Sequence, residues 1–284
     1  MRTVRRVLVR LVPVPVLMVL VLMVLVSGAT SVFGQDTALH TRVMTAVRTA
    51  MRPALPFPDT DESGSVPKDN NTEAPWMVRT PEAGEASFEI LANPLNEVNQ
   101  LRATRAMAQI DNNIAAAQRK AEAQYERALA EAKRTGKSQD VDGVTLADEG
   151  VAGAKIDADS HVIVEVLINE PQYKFSIAGR IQPGLVATSP VPGAVVLDVP
   201  AHVYREQPNG GDERYCERQI AVFLGSVAAP QVTWRGDAVS EVTATTSPSP
   251  RPVSSLVIRL RGNDVLINEL LGKTNWNGVL ELLK

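Results

Sequence analysis

His161-Val162-Ile163-Val164-Glu165-Val166-Leu167-Ile168 is the first of seven short apolar runs in the C-terminal part of this chain. The others are Tyr173 to Ile181, Ala194 to Val199, Gln219 to Val227, Gln231 to Trp234, Val239 to Thr243 and Val253 to Leu260. All are rich in Val, Ile and Thr, whose branched Cβ suits a pleated, half-buried surface. Between them lie the turn signals Gln182-Pro183-Gly184, Pro208-Asn209-Gly210-Gly211 and Arg235-Gly236-Asp237. Short strands punctuated in this way predict a mainly antiparallel all-β domain over residues 156–284, either a sandwich or a small barrel. Ser247-Pro248-Ser249-Pro250-Arg251-Pro252 then reads as an extended loop before a late strand.

Upstream of that domain, residues 93–136 read as one long Ala-rich helix, which makes the fold class α+β. Asn93 is a good N-cap, Pro94 fits the first helical position, and Glu97 lies in the first turn. Lys133 and Arg134 suit the negative end of the helix dipole, and Gly136 can take the left-handed conformation that stops a helix. A helix from Pro94 to Arg134 is about 60 Å long at 1.5 Å rise per residue. Val98 and Leu101 open an apolar stripe that resumes at Met107, Ile110, Ile114, Ala117, Ala121, Tyr125 and Ala128 in steps of three and four. Such a seam is heptad-like but narrow. Made largely of alanine, it favours weak self-association or docking on a partner over a tight coiled coil, the other reading being an exposed, solvated spacer helix.

The N-terminus carries an address. Arg2, Arg5, Arg6 and Arg10 precede an uncharged stretch from Leu11 to Val26, and small residues follow at Ser27-Gly28-Ala29. A basic segment, an apolar segment and a small-residue cleavage site make residues 1–35 a secretion signal or a single-pass signal anchor. The apolar stretch falls short of the roughly 20 residues that span a bilayer unless it starts at Val7 and Arg10 reaches back to the interface. The chain is therefore expected to be periplasmic or secreted, or anchored in the inner membrane if the signal is retained.

Residues 36–92 contain Pro53, Pro56, Pro58, Pro67, Pro75 and Pro81 among polar residues and read as a mostly disordered spacer. One part of it has helical spacing: Leu39, Val43, Val47 and Met51 share a face beside a basic face of His40, Arg42, Arg48 and Arg52. It reads either as a helix on an anionic membrane surface or as a transient helix without a partner. Residues 137–155 read as a polar linker. Within it Ser138, Asp140, Asp142, Gly143 and Glu149 match positions 1, 3, 5, 6 and 12 of an EF-hand calcium loop. Ser138 replaces the first Asp and Thr145 the usual hydrophobe, so the linker reading is preferred.

The net charge of −3 includes the four signal arginines, and no basic surface is concentrated as in a nucleic-acid binder. Cys216 is the only cysteine, which excludes an intramolecular disulfide and cysteine-cluster metal sites; it reads as a buried small hydrophobe. The three histidines, His40, His161 and His202, have no metal-ligand spacing. Ser226 after Gly225 lacks the frame of a nucleophile elbow, and the acid pairs Glu213/Glu217 and Asp157/Asp159 read as solvated charges. No catalytic, cofactor-binding or metal-binding residue is selected, and the chain is not read as an enzyme. Val166-Leu167-Ile168-Asn169-Glu170 recurs as Val265-Leu266-Ile267-Asn268-Glu269. A duplicated strand unit would produce this echo, but repeats that define a fold need more copies, so coincidence is the preferred reading.

The export signal, the Pro-rich spacer and the helix opening Asn93-Pro94-Leu95-Asn96-Glu97-Val98-Asn99-Gln100-Leu101-Arg102 resemble PilP-type proteins of type IV pilus and conjugative pilus systems. The resemblance covers order and texture over residues 1 to 185, without a diagnostic motif. It implies a structural, non-enzymatic component of a cell-envelope machine of pilus or secretion type. Such a component contacts other envelope proteins through the 94–134 helix, binds no nucleic acid, and self-associates weakly if at all. A free periplasmic or secreted ligand-binding module is the alternative, and an uncharacterised hydrolase a more distant one.

Overall fold

The computed structural model describes residues 37–55, 59–60, 73–79, 85–136, 147–178, 186–187, 189, 191–205, 213–235, 239–247 and 249–284. In chain order its helices are α1 (37–51), α2 (Glu97–Thr135), α3 (Ala147–Ser160), α4 (Asp264–Lys273) and α5 (Trp276–Leu280). Single 3-10 turns, Arg52–Ala54 and Glu281–Leu283, follow α1 and α5. Strands β1 (Asp59–Thr60), β2 (Trp76–Arg79) and β3 (Ser87–Ala92) precede α2. After α3 come β4 (His161–Ile168), β5 (Gln172–Ala178), β6 (Val186–Ala187), β7 (Val195–Val199) and β8 (His202–Arg205). The series ends with β9 (Glu213–Cys216), β10 (Arg218–Gly225), β11 (Gln231–Trp234), β12 (Val239–Thr245) and β13 (Ser255–Gly262). The α+β class expected from the sequence is the class observed.

Along β4, Val162, Val164, Val166 and Ile168 are buried while Ile163, Glu165 and Leu167 face the other way, the two-residue period of a strand with two different surroundings. β4 lies at the centre of an eight-stranded sheet of order β1-β2-β3-β4-β13-β10-β7-β6. Every neighbouring pair in it is antiparallel except the short parallel pair β1/β2. Among the described residues the sheet is open, because β1 and β6 do not pair. A second sheet, β11-β12-β5, and the hairpin β8-β9 complete the strands.

The two faces of the large sheet are covered differently. On one, the valines of β4 meet Leu256, Ile258 and Leu260 of β13, Val43, Val47 and Met51 of α1, and Leu266, Ile267 and Leu270 of α4. On the other, Tyr173, Phe175 and Ile177 of β5 and Val242 and Ala244 of β12 pack on Leu197, Phe223 and Val257. Phe175 and Phe223 stack across this second core with centroids 6.3 Å apart.

Three domain expectations are corrected. Residues 36–92 are not simply a spacer: α1, β2 and β3 belong to the body, and Val43, Val47 and Met51 of α1 are completely buried. Each such side chain contributes roughly 1.5–3 kcal/mol of burial, which offsets the chain entropy that composition alone made decisive. The apolar stripe of α1 therefore meets the sheet and is not free for a membrane surface. Residues 156–284 are not all-β, because α4 and α5 follow β13 and close the first core with Leu266, Ile267, Leu270, Trp276 and Val279. The 137–155 linker ends within α3.

The repeated pentapeptide adopts two structures. Val166 to Ile168 end β4, and Asn169 takes a left-handed φ of 53° in the turn to β5. Val265 to Glu269 instead lie within α4. There, Asn263 caps the helix by accepting a hydrogen bond from Leu266 N at 2.8 Å. The two copies are thus not a duplicated strand unit.

Candidate interaction surfaces

α2 and α3 lie in the chain between two strands that are neighbours in the sheet: β3 and β4 pair antiparallel, with Leu91 opposite His161. The chain thus leaves the sheet towards α2 and returns from α3 at neighbouring strands. At the root of α2 Asn93 is fully buried; its Nδ2 donates to Ala74 O at 2.7 Å and its Oδ1 accepts from Leu95 N at 3.0 Å. The cap of α2 is Asn96 and not Asn93, since Asn96 Oδ1 accepts from Asn99 N at 3.4 Å. Asn99 Nδ2 then donates back to Pro75 O at 2.7 Å. Pro94 and Leu95 make the turn that separates the two asparagines.

The other end of α2 matches expectation: Gly136 has φ 67° and its N–H donates to Ala132 O. α2 has 39 residues, about 58 Å at 1.5 Å per residue. Along it Val98, Leu101, Met107 and Tyr125 are 52–58 % exposed, with Ile110 and Ile114 half-buried. α3 touches α2 and packs on β9, β4 and β13, with Ala158 buried. Asn263 Nδ2 donates to Asp159 O at 3.0 Å and fastens its end to the body.

The second polar surface lies on the face of the large sheet that meets β5. Arg259 and Glu165 are direct cross-strand partners, joined Nη1 to Oε2 at 2.6 Å, and the Arg259 guanidinium sits 4.2 Å from the Phe175 centroid. Burial pulls the Arg259 guanidinium below its usual range, against the pull of Glu165. Two residues along, Arg261 Nε lies 2.6 Å from Glu217 Oε1, and His161 Nε2 lies 3.8 Å from the other oxygen of that carboxylate. Glu165, Phe175, Arg259 and Arg261 border a cleft of about 360 Å³. Arg259 and Arg261 were not among the candidate residues read from the sequence. Their signal is the alternation Arg259-Leu260-Arg261, two charges flanking a buried leucine on a strand.

Of the residues weighed for chemistry, His161 and Glu217 approach each other, at 3.8 Å. His40 is on α1 and His202 Nδ1 lies 3.0 Å from Pro200 O. Among the described residues no three His, Cys, Asp or Glu side chains are grouped to hold a metal. Glu217 is engaged by Arg261, whereas Glu213 lies on β9, so the two do not act as a pair. Asp159 has its carboxyl raised by burial, reinforced by Asp264 and opposed by Lys155. Ser226 serves through its backbone, its N–H donating to Ser254 O at 2.9 Å. Cys216 is buried, and desolvation, aided by Glu217, pushes its thiol up to about 11. The EF-hand-like residues Ser138, Asp140, Asp142 and Gly143 lie outside the described residues, as do residues 1–35, read from the sequence as a signal; Glu149 is in α3. Among the described residues no helix is long and apolar enough to cross a membrane.

Comparison with family models, curated proteins and solved structures finds no match for this chain.

Proposed function

We propose that this chain is a structural component of a bacterial cell-envelope machine of pilus or secretion type, acting through protein–protein contact. The observation that carries the reading is α2: Val98, Leu101, Met107 and Tyr125 stand exposed on a helix fastened at its root by Asn93, Asn96 and Asn99. Exposed apolar side chains on a protein's surface cost solubility; Met107 and Tyr125, five turns apart on one face of the helix, mark a docking surface, while Val98 and Leu101 stand exposed on its other side. The body beneath is a sandwich-like base, with the small sheet on one face and helices on the other, and α2 is the exposed element it presents. Its place is the periplasm or the cell exterior, with residues 1–35 either cleaved or retained as an inner-membrane anchor.

The test is photo-crosslinking in intact cells from a probe at Met107 or Tyr125, with Val265 on α4, also exposed, as control. Enrichment of pilus- or secretion-type subunits from α2 alone supports the reading. Capture of nothing, or equal capture from Val265, overturns it. Recovery in the osmotic-shock fraction alone would favour a free binding module.

A further inference from the structure

The geometry points to the step between the two sheets as a binding cleft for a small monocarboxylate with a short apolar tail. The small sheet covers β13, β10 and β7, but on β4 only Leu167 packs against it. Where β5 stops covering the large sheet, a cleft of about 360 Å³ opens, within the usual range for small-molecule sites. Phe175 and Ile177 from β5 and Ile163 from β4 supply apolar wall; Arg259 and Arg261 supply charge.

The Arg259 side chain is only 20 % exposed, yet among the described residues its hydrogen bonding is confined to Nη1 and Glu165. A guanidinium has five N–H donors, so among the described residues Nε and Nη2 have no other partner and can face a ligand. Arg261, two residues along the same strand, projects from the same face about 6.6 Å away. A carboxylate between them accepts charge-assisted hydrogen bonds beside apolar walls that exclude water and strengthen them. Glu165 and Glu217 already bring the two arginines to zero net charge. A monoanion would therefore leave the cleft at −1 and a dianion at −2, which ranks the monoanion above the dianion. A cation finds no free carboxylate, since each glutamate is held by its arginine. The cleft lies apart from α2 and does not depend on the docking role proposed for it.

The test is calorimetric titration of the full chain with hexanoate, hexanamide and inorganic phosphate. Hexanoate is expected to bind saturably with a Kd of about 1 mM or tighter, and hexanamide at least about tenfold more weakly. Arg261→Gln, at a half-exposed side chain, should weaken hexanoate about tenfold while leaving the unfolding midpoint unchanged. The charge-balanced double variant Glu165→Gln/Arg259→Gln should lose the preference for acid over amide. Equal binding of acid and amide, phosphate binding as tight as hexanoate, no saturation, or an unaffected Arg261→Gln variant would each overturn the assignment.

Discussion

Leu91 and His161 face each other as antiparallel neighbours, although α2 and α3 lie between them in the chain. The sheet therefore does not need α2 to hold β3 and β4 in register. Replacing residues 100–146 by a flexible linker of about 12 residues should shift the unfolding midpoint by no more than about 3 °C. The same variant should lose every crosslink made from α2. Differential scanning calorimetry checks the first outcome, and collapse of the cooperative transition would mean that α2 is part of the body.

Asn93 and Asn96 separate two roles that look alike in sequence. Asn96→Ala removes a helix cap and should cost about 1 kcal/mol. Asn93→Leu removes the fully buried side chain's bonds to Ala74 O and Leu95 N and should cost more, about 2–3 kcal/mol. Urea titration of both variants decides; a larger loss for Asn96→Ala would reverse the assignment of the cap.

Gly262 ends β13 at a φ of 132°, and a Cβ there would overlap the His161 carbonyl. Gly262→Ala should destabilise by about 3 kcal/mol or more, since both the backbone conformation and the space forbid the methyl. A urea midpoint within error of the parent protein would contradict this.

The Cys216 thiol, raised to about 11, should resist Ellman's reagent at pH 8 in the folded protein and react at once in denaturant. The same shift has a sign for stability. The folded state holds the thiol proton more tightly than the unfolded chain, so this contribution is intact below about pH 9 and lost as pH rises towards 11. Cys216→Ala should flatten that part of the stability–pH curve, and an unchanged slope would remove Cys216 as its source.

Val43, Val47 and Met51 fill the core against α4 and β13. Deleting residues 1–55 should therefore produce a protein that binds a hydrophobic dye and unfolds without a sharp transition. A true spacer would be lost without either effect. Val47→Asp in the full chain, which buries an unpaired charge, should act in the same direction.

Sequence alone determined the elements whose signals are local. Each of the seven apolar runs contains a strand, and β4 and β11 keep the bounds read from the sequence. Gly136 stops α2 because glycine alone adopts its left-handed conformation without cost. What depends on distant partners was not legible. Val-Leu-Ile-Asn-Glu is a strand and turn where β13 pairs with it and a helix where Asn263 caps it, because five residues have too little intrinsic preference to resist their surroundings. Residues 37–55 joined the core only because the sheet offered an apolar face for their stripe. Arg259, Glu165 and Phe175 meet only because β13, β4 and β5 cross at the step between the sheets. Spacing along the chain carries no trace of such a meeting; the tertiary fold alone decided it.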